Sequence, residues 1–202
     1  MTAIVYLPGA SGLRSFWRPV AERLADLAPA TLLGWPGFGD EPADGAVRSV
    51  ADLVRWTVDR LPPGPVDLVA QSMGGVVATA LALAHPGRVR SLVLCATSGG
   101  IDVGSLGAPD WRPEYSAEYP QVPDWFVADL TDLSARLSAI CAPTLVLYGD
   151  QDPLCNQRIA SFLAEHIRGA TLACIPGGDH GMAHDLPDLV AVPIRKQLTR
   201  AP

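Results

Sequence analysis

The sequence predicts an α/β fold, a doubly wound and mainly parallel sheet of about six strands with helices on both faces. Three observations predict it. In the first half of the chain, short apolar runs alternate four times with segments whose apolar residues recur at three- and four-residue steps. The run Val66, Leu68 and Val69 is compact, aliphatic and bounded by Pro62-Pro63-Gly64-Pro65, as a strand covered on both faces requires. The 202 residues, 49% of them hydrophobic, suffice for a single domain over 1–202 and leave no room for a second.

Taken in order, Ala3 to Leu7 is a strand, and Pro8-Gly9-Ala10-Ser11-Gly12 is the turn after it. Phe16, Trp17, Val20, Ala21, Leu24 and Leu27 then fall on one helical face. Thr31 to Leu33 is the second strand, Trp35-Pro36-Gly37-Phe38-Gly39-Asp40 a loop, and about Val47 to Leu61 a helix. The third strand ends near Ser72, and Val76, Val77, Ala80, Leu81 and Ala84 continue as a helix. A chain reversing so sharply needs small neighbours around the central residue, and Ala70, Gly74 and Gly75 supply them. Ser91 to Cys95 is the fourth strand.

Thr97 to Gln121 breaks into glycines, prolines and aromatics, which predicts a short lid inserted at about 97–123. Within it Trp111, Tyr115 and Tyr119 stand four apart, so a helix there sets them on one face as an apolar wall. Asp124 to Ile140 returns to helical spacing through Val127, Leu130, Leu133 and Leu137. Thr144 to Tyr148 is a strand ending in Gly149-Asp150-Gln151-Asp152-Pro153, and Asn156 to Ile167 an amphipathic helix. Ala170 to Ile175 is the last strand and ends in Pro176-Gly177-Gly178-Asp179-His180.

Several function classes are excluded. A net charge of −6 with scattered basic residues gives no stripe for nucleic acid and no polybasic membrane anchor, so small neutral or apolar substrates fit better. The N-terminus enters a strand without a charged leader, and no apolar run approaches a membrane span, which predicts a cytoplasmic protein. The single lysine, Lys196, follows Arg195, so neither a Walker phosphate loop nor a tyrosine-lysine dehydrogenase site can be built. Gly9 and Gly12 start a dinucleotide fingerprint, but Arg14 and Ser15 stand near the third glycine position and no ribose-binding acid follows the second strand. His180 and His184 are four apart, yet H-G-M-A-H lacks the glutamate of H-E-x-x-H, so no metal site is expected. His85 and His166 read as structural. Cys95, Cys141, Cys155 and Cys174 form no C-x-x-C pair and read as reduced core thiols.

The strand, Ser72 and helix arrangement resembles the nucleophile elbow of the α/β-hydrolase family, G-x-S-x-G, here A-Q-S-M-G with Ala70 at the first glycine. The resemblance spans nearly the whole chain, because three strand ends carry serine, acid and histidine in the order that family uses. It implies a catalytic triad of Ser72, Asp152 and His180. Asp152 is selected by the match of its loop to G-x-x-D-P, leaving Asp150 to cap the turn, and His180 is followed by Asp185 and Pro187 at the family's offsets. Implied oxyanion donors are the N–H groups of Met73 and Ala10, and implied pocket residues are Trp35, Trp111, Tyr115 and Tyr119. The family usually has histidine before the glycine of the first turn; Pro8 stands there, so the turn lacks that brace. The first strand is expected between the second and the Ser72 strand, and the absence of the family's N-terminal hairpin leaves one sheet edge exposed or covered by a partner. The implied activity is a cofactor-free serine hydrolase of a carboxylic ester or thioester. A carbon–carbon hydrolase or lyase on the same triad, and a non-catalytic ligand-binding relative, are the alternatives.

Overall fold

Six strands form one parallel sheet in a computed structural model that describes residues 2–201. They are β1 (Ile4–Leu7), β2 (Ala30–Leu32), β3 (Val66–Gln71), β4 (Val89–Cys95), β5 (Thr144–Gly149) and β6 (Thr171–Ile175). Their spatial order is β2-β1-β3-β4-β5-β6, with every neighbouring pair parallel. The winding direction therefore reverses between β1 and β3, and a crevice opens at their carboxyl ends, where ligands of such sheets bind.

The helices are α1 (Arg18–Arg23), α2 (Val50–Val58), α3 (Met73–Ala84), α4 (Arg112–Glu118), α5 (Asp124–Ala128), α6 (Gln157–His166), α7 (Met182–Asp185) and α8 (Pro187–Arg200). Alternate strand residues divide between two apolar layers, as the two-residue repeat dictates. Val5, Leu7, Leu68, Ala70, Leu92, Leu94 and Val146 pack with Leu53 of α2, Val77 and Leu81 of α3 and Ile159 and Leu163 of α6. Ile4, Tyr6, Val69, Val93, Cys95, Leu145 and Leu147 pack on the other face with Val20 of α1, Met182 of α7 and Val190, Ile194 and Leu198 of α8. The doubly wound sheet with helices on both faces is thus present as expected.

Differences from the expected elements have local causes. The helical spacing over Asp124 to Ile140 yields only α5 and a 3-10 turn over Ser134–Ala139. Between them Asp129 is extended, and its carboxylate accepts the Thr131 N–H while Asp132 accepts that of Ser134. These side-chain bonds offer the backbone an alternative to the helix, and Leu130, expected on the buried face, is 84% exposed. Helix α8, to which the sequence reading assigns no element, contains Pro193 and begins on Pro187, two residues that disguise its buried stripe. Cys95 and Cys155 are buried thiols as expected, but Cys141 and Cys174 are exposed. No helix among the described residues is long and apolar enough to cross a membrane.

Candidate active site

β3 delivers Ser72 to the crevice through a tight reversal into α3. Ser72 has φ 51°, and Ala96, at the end of neighbouring β4, has φ 46°; among the described residues these are the two non-glycine residues with positive φ. Such backbone is strained for an L-residue and persists only where its surroundings over-determine it. The surroundings are tight here. A Cβ on Gly74 would lie 2.4 Å from the Pro8 carbonyl oxygen, and one on Gly75 would lie 2.3 Å from Thr97 Oγ1. Ala70 is fully buried at the first glycine position of the motif, so its methyl is accommodated. Thr97 Oγ1 donates to the Ser72 carbonyl at 2.6 Å and accepts the Gly99 N–H at 3.0 Å, which clamps the elbow.

The carboxyl ends of β5 and β6 bring the other two groups to the serine. His180 Nε2 lies 3.0 Å from Ser72 Oγ, and His180 Nδ1 lies 2.9 Å from Asp152 Oδ2. Asp152 is 4% exposed, and its Oδ1 accepts the N–H groups of Leu154 at 2.8 Å and Cys155 at 3.1 Å. Burial alone would raise its pKa, but the hydrogen bond and charge of His180, with the two backbone N–H groups, hold it below the ordinary carboxylate value. Asp150 instead accepts the Gly177 N–H at 2.8 Å, and the Gln151 N–H donates to the Gly178 carbonyl at 2.9 Å, so the two loops are stitched together. Gln71 Nε2 adds a bond to the His180 carbonyl at 3.1 Å.

The N–H groups of Ala10 and Met73 have no hydrogen-bond acceptor among the described residues. Met73 opens α3, where the helix dipole favours negative charge. The Ala10 turn lies against the elbow, since a Cβ on Gly9 would come within 3.1 Å of Ser72 Cβ. The turn is braced despite Pro8. Trp17 Nε1 donates to the Leu7 carbonyl and Trp35 Nε1 to the Pro8 carbonyl, each at 2.9 Å, and Tyr115 Oη donates to the Ala10 carbonyl at 2.7 Å.

A cleft of about 590 Å³ opens over Ser72 and His180, with Trp111, Tyr115, Tyr119, Phe126 and Phe16 in its walls. Trp111 and Tyr119 flank α4, which carries Tyr115. Trp35 is a correction to the expected pocket: it is completely buried and does not line the cleft, because its indole N–H is directed at the Pro8 carbonyl. Gln71, Thr97 and Trp17 hold the site together although the sequence reading gives them no role. Only Gln71 carried a local signal, as the polar residue before the serine in A-Q-S-M-G.

Asp152, Cys155 and His180 offer three atoms within 4.8 Å of one another. They suit a metal poorly. Burial, the Asp152 charge and Cys95 push the Cys155 thiol well above its ordinary value, so it stays protonated, and the other two groups already satisfy each other. His184 does not join them; its Nδ1 pairs with Asp185 at 2.8 Å. His166 stacks on Phe162 and bonds the Phe162 carbonyl, and His85 ends α3.

Residues 2–135 match the family model for the alpha/beta hydrolase fold. The chain is 25% identical to the pimeloyl-[acyl-carrier protein] methyl ester esterase of Neisseria meningitidis, over 83% of this chain and 82% of that protein. It is 28% identical to the 2-hydroxymuconate semialdehyde hydrolase of a Pseudomonas species, over 77% of this chain and 71% of that protein. A solved structure of a thermophilic esterase from Thermogutta terrifontis superposes with a TM-score of 0.78 at 22% identity, covering 99% of this chain and 90% of that one. The parallel sheet, its strand order and the matched family model together make this chain a hydrolase of the alpha/beta hydrolase fold family.

Proposed function

We propose that this protein hydrolyses small, uncharged carboxylic esters or thioesters through an acyl-enzyme on Ser72, without a cofactor. The observation that carries this reading is the unbroken chain from Ser72 Oγ through His180 to Asp152, at 3.0 and 2.9 Å. As Ser72 Oγ attacks the carbonyl carbon, its proton passes to His180 Nε2, while Asp152 accepts from Nδ1–H and stabilises the imidazolium. The N–H groups of Met73 and Ala10 receive the developing oxyanion. His180 then gives its proton to the departing alcohol or thiol. Water, deprotonated by His180, attacks the acyl carbon, and the acid leaves as Ser72 regains its proton.

The segment 97–123 serves as a short lid on a single domain, and its aromatics wall a cleft of about 590 Å³, large enough for a small acyl or aryl group. Each buried methylene adds about 0.8 kcal/mol, or roughly a fourfold gain, until the pocket is full. kcat/KM for p-nitrophenyl esters therefore rises from acetate to butyrate or hexanoate and then falls. A monotonic rise through dodecanoate would contradict a closed pocket. Ser72→Ala lowers turnover by about 10³-fold or more while folding stays intact; near-normal activity in that variant would end the assignment.

The relative named for 2-hydroxymuconate semialdehyde motivates a second reading, hydrolysis of a carbon–carbon bond on the same triad. The charge of the cleft disfavours it. Glu114, Glu118 and Asp185 line the cleft and, among the described residues, no lysine or arginine does, so a substrate bearing carboxylates meets like charge. Turnover of a muconate semialdehyde in preference to butyrate esters would reverse this order.

A further inference from the structure

We infer that Tyr115 is a positioning residue that couples docking of α4 to the geometry of the oxyanion loop, an inference that rests on the role proposed above for the Ala10 N–H. The argument lies in which peptide units are held. The Ala10 N–H belongs to the Gly9–Ala10 peptide. The unit before it is fixed by Trp35, whose indole donates to the Pro8 carbonyl at 2.9 Å, and the unit after it by Tyr115, whose phenol donates to the Ala10 carbonyl at 2.7 Å. With both neighbours held, the direction of the Ala10 N–H is set from two sides.

The two anchors differ in kind. Trp35 is completely buried in the core beneath the loop. Tyr115 arrives from 105 residues away, on a seven-residue helix with no fully buried side chain. The loop closes one backbone turn of its own, the Gly12 N–H donating to the Gly9 carbonyl at 3.0 Å, with Gly9 on one side of Ala10 and Gly12 at φ 67° on the other. Withdrawal of α4 removes the anchor on the Ala10–Ser11 unit and leaves the Ala10 N–H held only by the Gly12 turn bond and by Trp35. Burial first, then Tyr119 and Glu118, raise the Tyr115 pKa above the ordinary phenol value, so the group remains a donor at any pH where the site works.

Tyr115→Phe isolates the hydrogen bond, because the ring contacts with Trp111, Tyr119 and Phe126, at centroid distances of 5.4, 5.0 and 5.6 Å, survive. Loss of one such bond predicts a fall in kcat of about 5- to 10-fold on p-nitrophenyl butyrate with KM changed less than about twofold. Affinity for 1-butaneboronic acid, a tetrahedral mimic once bound to the serine, falls by a similar factor. Amide hydrogen exchange over residues 9–12 of the free protein accelerates. A raised KM with unchanged kcat would make Tyr115 a pocket wall and overturn the coupling, as would unchanged exchange or faster exchange with unchanged kcat. Exchange needs no turnover: if the wild type proved inactive at Ser72, the proposed function would fail while exchange alone still decided whether Tyr115 holds the loop.

Discussion

Asp152 and Asp67 are both buried, at 4% and 1% exposure, yet they sit at opposite ends of the sheet and titrate in opposite directions. Asp152, beyond the carboxyl end of β5, accepts two backbone N–H groups on one oxygen and His180 on the other. Asp67, at the amino end of β3, accepts Arg90 on one oxygen, while the other has no partner among the described residues. Burial raises the Asp67 pKa, and the hydrogen bond and charge of Arg90 only partly offset it. The partners differ in chemistry too. Arg90 also donates to the Leu198 and Ala201 carbonyls, anchoring the end of α8, while its Nε has no partner among the described residues. His180 can give and take a proton and faces a cleft. A buried carboxylate is therefore no mark of catalysis by itself; the donors on both its oxygens and the proton carrier between it and a nucleophile are.

The largest expected effect breaks this comparison most cleanly. Asp152→Asn should lower kcat by about 10⁴-fold in a folded protein, because the amide favours the wrong imidazole tautomer. Asp67→Asn should leave kcat within about twofold and should not lower stability above the folded pKa, since burial already disfavours the ionised carboxylate that the amide replaces. Chemical denaturation and steady-state kinetics on both variants read the two axes. Equal kinetic damage from both would erase the distinction. Smaller effects sharpen it: Asp150→Asn and His184→Ala should each change kcat by only about threefold or less, since their side chains bond a turn and a surface carboxylate. If Asp150→Asn were the more damaging acid substitution, the triad acid would be misassigned.

The smallest effect is in the pH dependence of stability. Asp152 has a lowered folded pKa, so its stabilisation is present above the ordinary value of 3.8 and is lost as pH falls through the folded value. Asp67 has a raised folded pKa, so its contribution has the opposite sign: it is full below 3.8 and declines as pH rises toward the folded value. Denaturation midpoints should show Asp152→Asn flattening the loss below that value and Asp67→Asn flattening the slope above it. The reverse assignment of limbs would refute the opposed shifts.

Strand positions were legible because most strands are short apolar runs bounded on one side by glycine or proline, as at Pro62-Pro63-Gly64-Pro65, whereas the place of the first strand between the second and the Ser72 strand came from the family resemblance. The groups proposed for the chemistry, Ser72, Asp152 and His180, each follow a strand end within a few residues, and Asp152 was singled out from Asp150 by the family's G-x-x-D-P. What escaped is what depends on contacts between distant segments. Nothing local tells that Trp35 is directed at the Pro8 carbonyl and away from a substrate, or that Thr97 clamps the elbow. Leu130 has the right spacing for a buried helix face, but the neighbouring aspartates bond their own backbone and break the helix. Pro187 and Pro193 hid α8 because proline is read as a breaker, although one sits at the helix start, where its missing N–H costs nothing.

The most direct test of an activated Ser72 is reaction with a fluorophosphonate, followed by intact mass and peptide mapping. The expected result is one adduct on Ser72 in the wild type, none in Ser72→Ala, and strongly slowed labelling in His180→Ala with the fold retained. A folded wild-type protein that stays unlabelled, or one labelled at a different residue, would contradict it.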